Sequence, residues 1–223
     1  MRIIETFNLC KYYHDGGIIK AIDGVNLKID EGEFTSIVGP SGSGKTTLLN
    51  LLGGIDKPTE GKVILNRVDI SSLPEKKLSE IRLNNLGFVF QSFNLIPVLT
   101  AFENVEFVLI LQGVEKKERR KRVLKALKDV GLEELAHRRL TKLSGGEQQR
   151  VAVARAIIGE PKIVLADEPT ANLDSENVMI LIELMKKLNE EKNITFLLST
   201  HDERVVKMTK RVIKLSDGKI IQS

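Results

Sequence analysis

Three glycines within six residues, Gly39, Gly42 and Gly44, shape the run Gly39-Pro40-Ser41-Gly42-Ser43-Gly44-Lys45-Thr46 and constrain everything around it. Such a run cannot continue a helix or a strand, because glycine loses more backbone freedom on ordering than any other residue. It has to be a loop, and its flanks say between what. Residues 34–38 form a short apolar run, and residues 46–52, Thr-Thr-Leu-Leu-Asn-Leu-Leu, fit a buried helix that ends near Gly53-Gly54. A glycine loop between a strand and a helix curls so that successive N–H groups point inward at phosphate oxygens, and the helix adds its positive end. Lys45 then reaches the terminal phosphates and the Thr46 hydroxyl ligates Mg2+, while Pro40, Ser41, Ser43 and Thr47 complete the cradle.

The remainder of the chain alternates in a way that suits this loop. Val25, Leu27 and Ile29 alternate with Asn26, Lys28 and Asp30, the period of a half-buried strand, before a turn at Glu31-Gly32. Residues 62–65, 163–166, 195–199, 211–215 and 220–221 read as further strands, and residues 176–188 as a helix. The middle changes character: residues 100–111 and 115–130 read as helices, the second with Val123, Leu124, Leu127 and Val130 on one face. Strand and helix alternating on both sides of a helical block imply a parallel α/β core, residues 1–91 and 159–223, into which a helical subdomain, residues 92–158, is inserted.

Composition narrows the partners. At 223 residues with 42% hydrophobic and 29% charged, the chain supports one sizeable core. The net charge of +4 is mild. Its densest basic run, Lys116-Lys117-Glu118-Arg119-Arg120-Lys121-Arg122, has no aromatic residue interleaved for base stacking, so it reads as a solvated helix face and no nucleic acid is expected. The lone cysteine, Cys10, suits a small core position. The first residues lack the apolar stretch of a signal peptide, and the charge-free stretch over residues 87–102, interrupted by Gln91, Ser92, Asn94 and Pro97, falls short of the ~20 apolar residues that span a bilayer. A transport role would therefore need a separate membrane subunit.

Downstream, Ile163-Val164-Leu165-Ala166 ends in Asp167 and Glu168. A strand ending in two carboxylates beside a phosphate loop places Asp167 to hold the Mg2+ shell through water and Glu168 to polarise an attacking water. A second anion-receiving helix end lies at Leu143-Ser144-Gly145-Gly146-Glu147, where Ser144 is a natural cap and glycine N–H groups are bare. One triphosphate uses both ends only if they face each other.

The phosphate loop and this Leu-Ser-Gly-Gly run together resemble the ATP-binding subunit of ABC transporters, and the resemblance covers nearly the whole chain. It implies a P-loop NTPase (RecA-like) core carrying an N-terminal antiparallel β subdomain and the inserted helical subdomain. It also implies an ATP-dependent head-to-tail homodimer, in which Ser144, Gly145, Gly146 and Glu147 of one chain cover the ATP held by the loop of the other. Tyr13 falls where the family stacks an aromatic on adenine, although Tyr12 is adjacent and one of the two can face the core. Gln91 falls where a Gln contacts Mg2+ and the attacking water, Asn172-Leu173-Asp174 resembles the loop that crosses between subunits, and His201 corresponds to the histidine that senses the terminal phosphate. Departures are small: Thr46 stands where Ser is commoner, Glu147 where Gln is frequent, and Ala171-Asn172 where Ser-Ala is common.

The wording around Gln91, Phe90-Gln-Ser-Phe-Asn-Leu-Ile-Pro-Val-Leu-Thr-Ala-Phe-Glu-Asn-Val, is similar to a subgroup that includes lipoprotein-releasing, macrolide-export and antimicrobial-peptide-resistance ATPases and a cell-division ATPase. The resemblance implies an ATPase bound peripherally at the cytoplasmic face of the membrane, powering an integral membrane permease. A regulator of cell division and a soluble ABC protein acting on nucleic acid or ribosomes are the alternatives. The last class usually carries two ATPase modules or a long coiled coil between motifs. The segment Ser92 to Phe102, with Phe93, Leu95, Ile96, Val98 and Leu99, is the expected seat of the permease.

Overall fold

The computed structural model describes residues 1–14 and 16–222. Its centre is a six-stranded sheet. Strands β4 (Phe34–Val38), β7 (Leu86–Phe90), β8 (Ile163–Asp167), β9 (Thr195–Thr200), β10 (Arg211–Ser216) and β11 (Lys219–Gln222) lie in the order β11-β10-β4-β9-β8-β7. All neighbours are parallel except the final β10–β11 hairpin. A sheet covered on both faces needs strands apolar on both sides, and the period of two divides them cleanly. Ile163, Leu165 and Leu197 face one core, while Val164, Ala166, Phe196 and Leu198 face the other. In the second core Phe34 and Phe196 meet edge to face, 5.7 Å between centroids.

Helix α1 (Lys45–Leu52) and helix α2 (Glu75–Asn85) contribute to the first core, together with an antiparallel sheet of β1 (Arg2–His14), β2 (Ile18–Val25), β3 (Lys28–Asp30), β5 (Glu60–Leu65) and β6 (Val68–Asp69). Helix α6 (Ser175–Lys192) and helix α7 (Glu203–Met208) cover the second. A third core joins helix α3 (Ala101–Leu111), helix α4 (Lys116–Asp129) and helix α5 (Gly145–Ile157). Helix α5 serves two cores at once. Val151 and Ala154 enter the helical cluster, whereas Val153, Ala156 and Ile157 pack on the sheet. A helix apolar on opposite faces must be sandwiched, so α5 ties the helical subdomain to the sheet.

The single strand expected across residues 25–30 is split. Thr6 Oγ1 donates to Val25 O and accepts from Leu27 N, and Asn26 exchanges amide hydrogen bonds with Asn8. These side chains replace ladder bonds while β1 passes from pairing with β2 to pairing with β3 and β5. The alternation survives in burial, since Val25, Leu27 and Ile29 are all in the core. Helices α2 and α7 lie where no helix was expected. Each buries a single residue, Leu78 in α2 and Val205 in α7, which is too weak a stripe to read as a period.

The join between α5 and the edge strand β7 is close enough to test. A Cβ on Gly87 would lie 2.3 Å from Ala156 O, a backbone atom that cannot swing aside. Gly87→Ala is therefore expected to cost about 1–3 kcal/mol by overpacking, read as a lowered midpoint of thermal unfolding.

Candidate functional site

The phosphate loop leaves the carboxyl end of β4 and enters α1 at Lys45. Gly42 and Gly44 take positive φ, 79° and 101°, and Gly39 lies so close to the β10 chain that a Cβ there would meet Leu215 O at 2.2 Å. Only glycine fits these three positions. Gly218 N donates to Ser43 O, so the β10–β11 hairpin buttresses the loop from beneath. Ser43 Oγ is buried without a hydrogen-bond partner among the described residues.

The two acids stand at the end of β8, two strands from β4, with β9 between them. Asp167 Oδ1 accepts from Thr46 Oγ1 at 3.1 Å and from Ser199 Oγ at 2.6 Å. Glu168 has φ 44°, strained for a residue with a side chain, and is held there by its N–H donating to Ser199 Oγ at 2.9 Å. Its carboxylate lies between two nitrogens: Lys45 Nζ at 3.7 Å and His201 Nδ1 at 2.9 Å. Lys45 also donates to Gly39 O and Pro40 O. Ser199 was not anticipated. A serine inside an apolar strand carries no signal of its own, and only the register Asp167↔Ser199 reveals that it braces both acids.

Lys45, Thr46, Thr47, Gln91, Glu168 and His201 share a cleft of about 1200 Å3 with the glycine loop. Gln91, at the end of β7, is exposed, and its carbonyl accepts from Asn172 Nδ2 at 3.0 Å, which joins the two loops that rim the cleft. Tyr12 and Tyr13 diverge as strand neighbours must, yet neither enters the core. Tyr12 donates to Asp23 and Tyr13 to Asp56, and Tyr13 remains 40% exposed.

Residues 144–147 do not line that cleft. Ser144 caps α5 in a reciprocal box, accepting from Glu147 N while Glu147 Oε2 accepts from Ser144 N at 2.7 Å. This end lies beside Phe93, whose ring would approach a Cβ on Gly145 at 3.8 Å, and beside Asn172 O. Gly146 packs against Asn177, whose Oδ1 a Cβ there would meet at 2.1 Å, so the position takes glycine. The glycine loop and the Ser144 end of α5 thus do not share a cleft.

The family model described as ABC transporter matches residues 22–171, from β2 through both glycine motifs to the loop after β8. The chain belongs to the ABC transporter family. It is an ABC ATPase with a P-loop α/β fold. It is 50% identical to the uncharacterized ABC transporter ATP-binding protein MJ0796 of Methanocaldococcus jannaschii, over 98% of this chain and 95% of that one. With the lipoprotein-releasing system ATP-binding protein LolD of Legionella pneumophila it shares 43% identity over 98% and 96%. Identity to the macrolide export ATP-binding/permease protein MacB of Hyphomonas neptunium is 44%, over 98% of this chain but 34% of that longer protein. The solved dimer of MJ0796 in a post-hydrolysis state, bound to ADP and Pi, superposes with a TM-score of 0.92 at 48% identity, covering 99% of this chain and 97% of that one.

Proposed function

We propose that this ABC ATPase hydrolyses ATP in a head-to-tail homodimer and thereby powers a separate integral membrane permease, in an exporter or a lipoprotein- or peptide-extrusion system at the cytoplasmic face of the membrane. The observation that carries the dimer is the separation just described. The phosphate loop and the Ser144 end of α5 both suit phosphate, and they do not line one cleft in a single chain. A two-fold arrangement brings the loop of one copy to the α5 end of the other, twice. The solved dimer of the similar MJ0796 supports this reading, and LolD and MacB relatives support the export class.

In each site the loop amides and Lys45 hold the phosphates, and Tyr13 supports adenine. Glu168 orients and deprotonates the attacking water, a role its strained backbone suits by aiming the carboxylate into the cleft. His201, whose Nδ1 lies 2.9 Å from Glu168 Oε2, meets the terminal phosphate in this reading. Among the described residues no cluster of acidic, His or Cys side chains forms a metal cage by itself. Thr46 and Asp167, in hydrogen-bonding contact, and Gln91 nearby suit Mg2+, which prefers few protein ligands alongside phosphate oxygens and water. When bound, that ion neutralises charge on the phosphates.

The permease seat follows from the segment after Gln91. Of its apolar residues, Leu95 packs into the helical core, and Phe93 and Leu99 are half-buried, whereas Ile96 and Val98 are exposed, Val98 at 79%. The same segment is tied to α5 by Arg155, which donates to Phe93 O and Asn94 O. Movement of a docked permease helix is therefore felt at α5 and at Gln91 together. Ile96→Ser with Val98→Ser is expected to leave ATP binding intact and to reduce permease-stimulated hydrolysis about tenfold or more. Undiminished stimulation in the folded double variant, measured with the permease in vesicles, would place the seat elsewhere.

A further inference from the structure

We propose that Asp56 is a positioning residue for nucleobase recognition, holding the Tyr13 ring in register with the phosphate loop; this rests on the reading of Tyr13 as the adenine platform. The argument begins with β1, where Lys11 and Tyr13, two residues apart, share one face. Both reach the loop that follows α1. The Tyr13 hydroxyl donates to Asp56 Oδ2 at 2.9 Å, and Lys11 Nζ donates to Asp56 Oδ1 at 2.7 Å and to Lys57 O at 2.9 Å. The same ammonium lies over the Tyr13 ring, 5.0 Å from its centroid. A cation on one face of the ring leaves the opposite face for a stacked base.

Asp56 is itself fixed to the phosphate-binding helix. Ile55 N and Asp56 N both donate to Asn50 O in the last turns of α1, whose first residue is Lys45. Two further bonds lock β1 onto this loop, Thr59 N to Cys10 O and Tyr12 N to Thr59 Oγ1. Partial burial works to raise the Asp56 pKa, but Lys11, the Tyr13 hydroxyl and the Lys57 amide together hold it below the usual carboxylate value. The brace is therefore charged at neutral pH. Phosphate loop, α1, Asp56 and Tyr13 form one connected frame, so the ring is already ordered when a base arrives and less rotational freedom is lost on stacking.

The test compares ligands with and without a base, on the whole chain, by equilibrium titration of Mg·ATP and of magnesium tripolyphosphate. Asp56→Ala is expected to weaken ATP binding about three- to tenfold while tripolyphosphate binding changes less than about twofold. Tyr13→Phe, which keeps the ring and removes only the hydroxyl, should weaken ATP in the same direction, and Asp56→Ala should add less than about twofold to it. Tyr13→Ala should weaken ATP about tenfold or more, again sparing tripolyphosphate. Full ATP affinity in Asp56→Ala or Tyr13→Phe, alongside a weakened Tyr13→Ala, would overturn the brace and leave the platform standing. Unchanged ATP affinity in Tyr13→Ala would overturn both, and equal loss of the two ligands in Asp56→Ala would make Asp56 a support of the phosphate loop instead. If Asp56→Ala melts too early to titrate, Tyr13→Phe, which changes one exposed atom, still decides the matter.

Discussion

Glu168→Gln is expected to bind ATP as the native chain does, within about twofold, while hydrolysis falls at least a hundredfold or so. The substitution keeps the shape of the side chain and removes its negative charge. Every donor that faces phosphate remains: the loop amides, Lys45 and the α1 end. What is lost is the acceptor that draws a proton from the water, the carboxylate now lying between Lys45 and His201 at 3.7 and 2.9 Å. Removing that charge also leaves Lys45 freer for phosphate. The variant should therefore accumulate as a dimer with ATP retained, detected by size-exclusion chromatography with light scattering and nucleotide quantification. A monomer at all ATP concentrations, or near-native turnover, would remove Glu168 from the role assigned to it.

Lys45→Ala should fail at the earlier step. Lys45 is buried, and its ammonium donates to Gly39 O and Pro40 O. Losing it removes the one side-chain cation of the loop from a ligand of roughly four negative charges and releases two loop carbonyls from their partner. A charge-assisted contact of this kind contributes about 1.5–3 kcal/mol, so ATP affinity should fall about ten- to a hundredfold and turnover with it. Isothermal titration with Mg·ATP reads this directly. Unchanged affinity would mean that the loop holds something other than the triphosphate.

The glycine loop was legible because its physics is local: a strand, a turn that only glycine can make, and a helix, in sequence order. The acids of β8 were legible for the same reason. Ser199 was not, since its part depends on two strands lying side by side in register. Asp56 and Lys11 escaped notice because their contact joins residues 45 positions apart through side chains alone. Helix α2 was missed because one buried leucine makes no period, and the strand across residues 25–30 was drawn too long because side-chain hydrogen bonds of Thr6 and Asn26 interrupt the ladder. The apolar residues after Gln91 stood out in the sequence, but which of them face the core did not: Leu95 turns inward to the helical core while Val98 stays out, a division that sequence spacing alone does not carry.

The shared site is tested most directly by complementation between two chains, each disabled at one end. In a Glu168→Gln background, one chain carries Lys45→Ala and the other Ser144→Arg, which fills the open end of α5. Alone, neither should retain ATP as a dimer, because each homodimer lacks one half of both sites. Mixed, they should form a heterodimer holding about one ATP, since a two-fold head-to-tail pairing brings the intact loop of one chain to the intact α5 end of the other. Counting nucleotide in the dimer fraction of the mixture gives the answer. About one ATP per mixed dimer is the predicted result, and no retained ATP above either chain alone would contradict a site built from two copies.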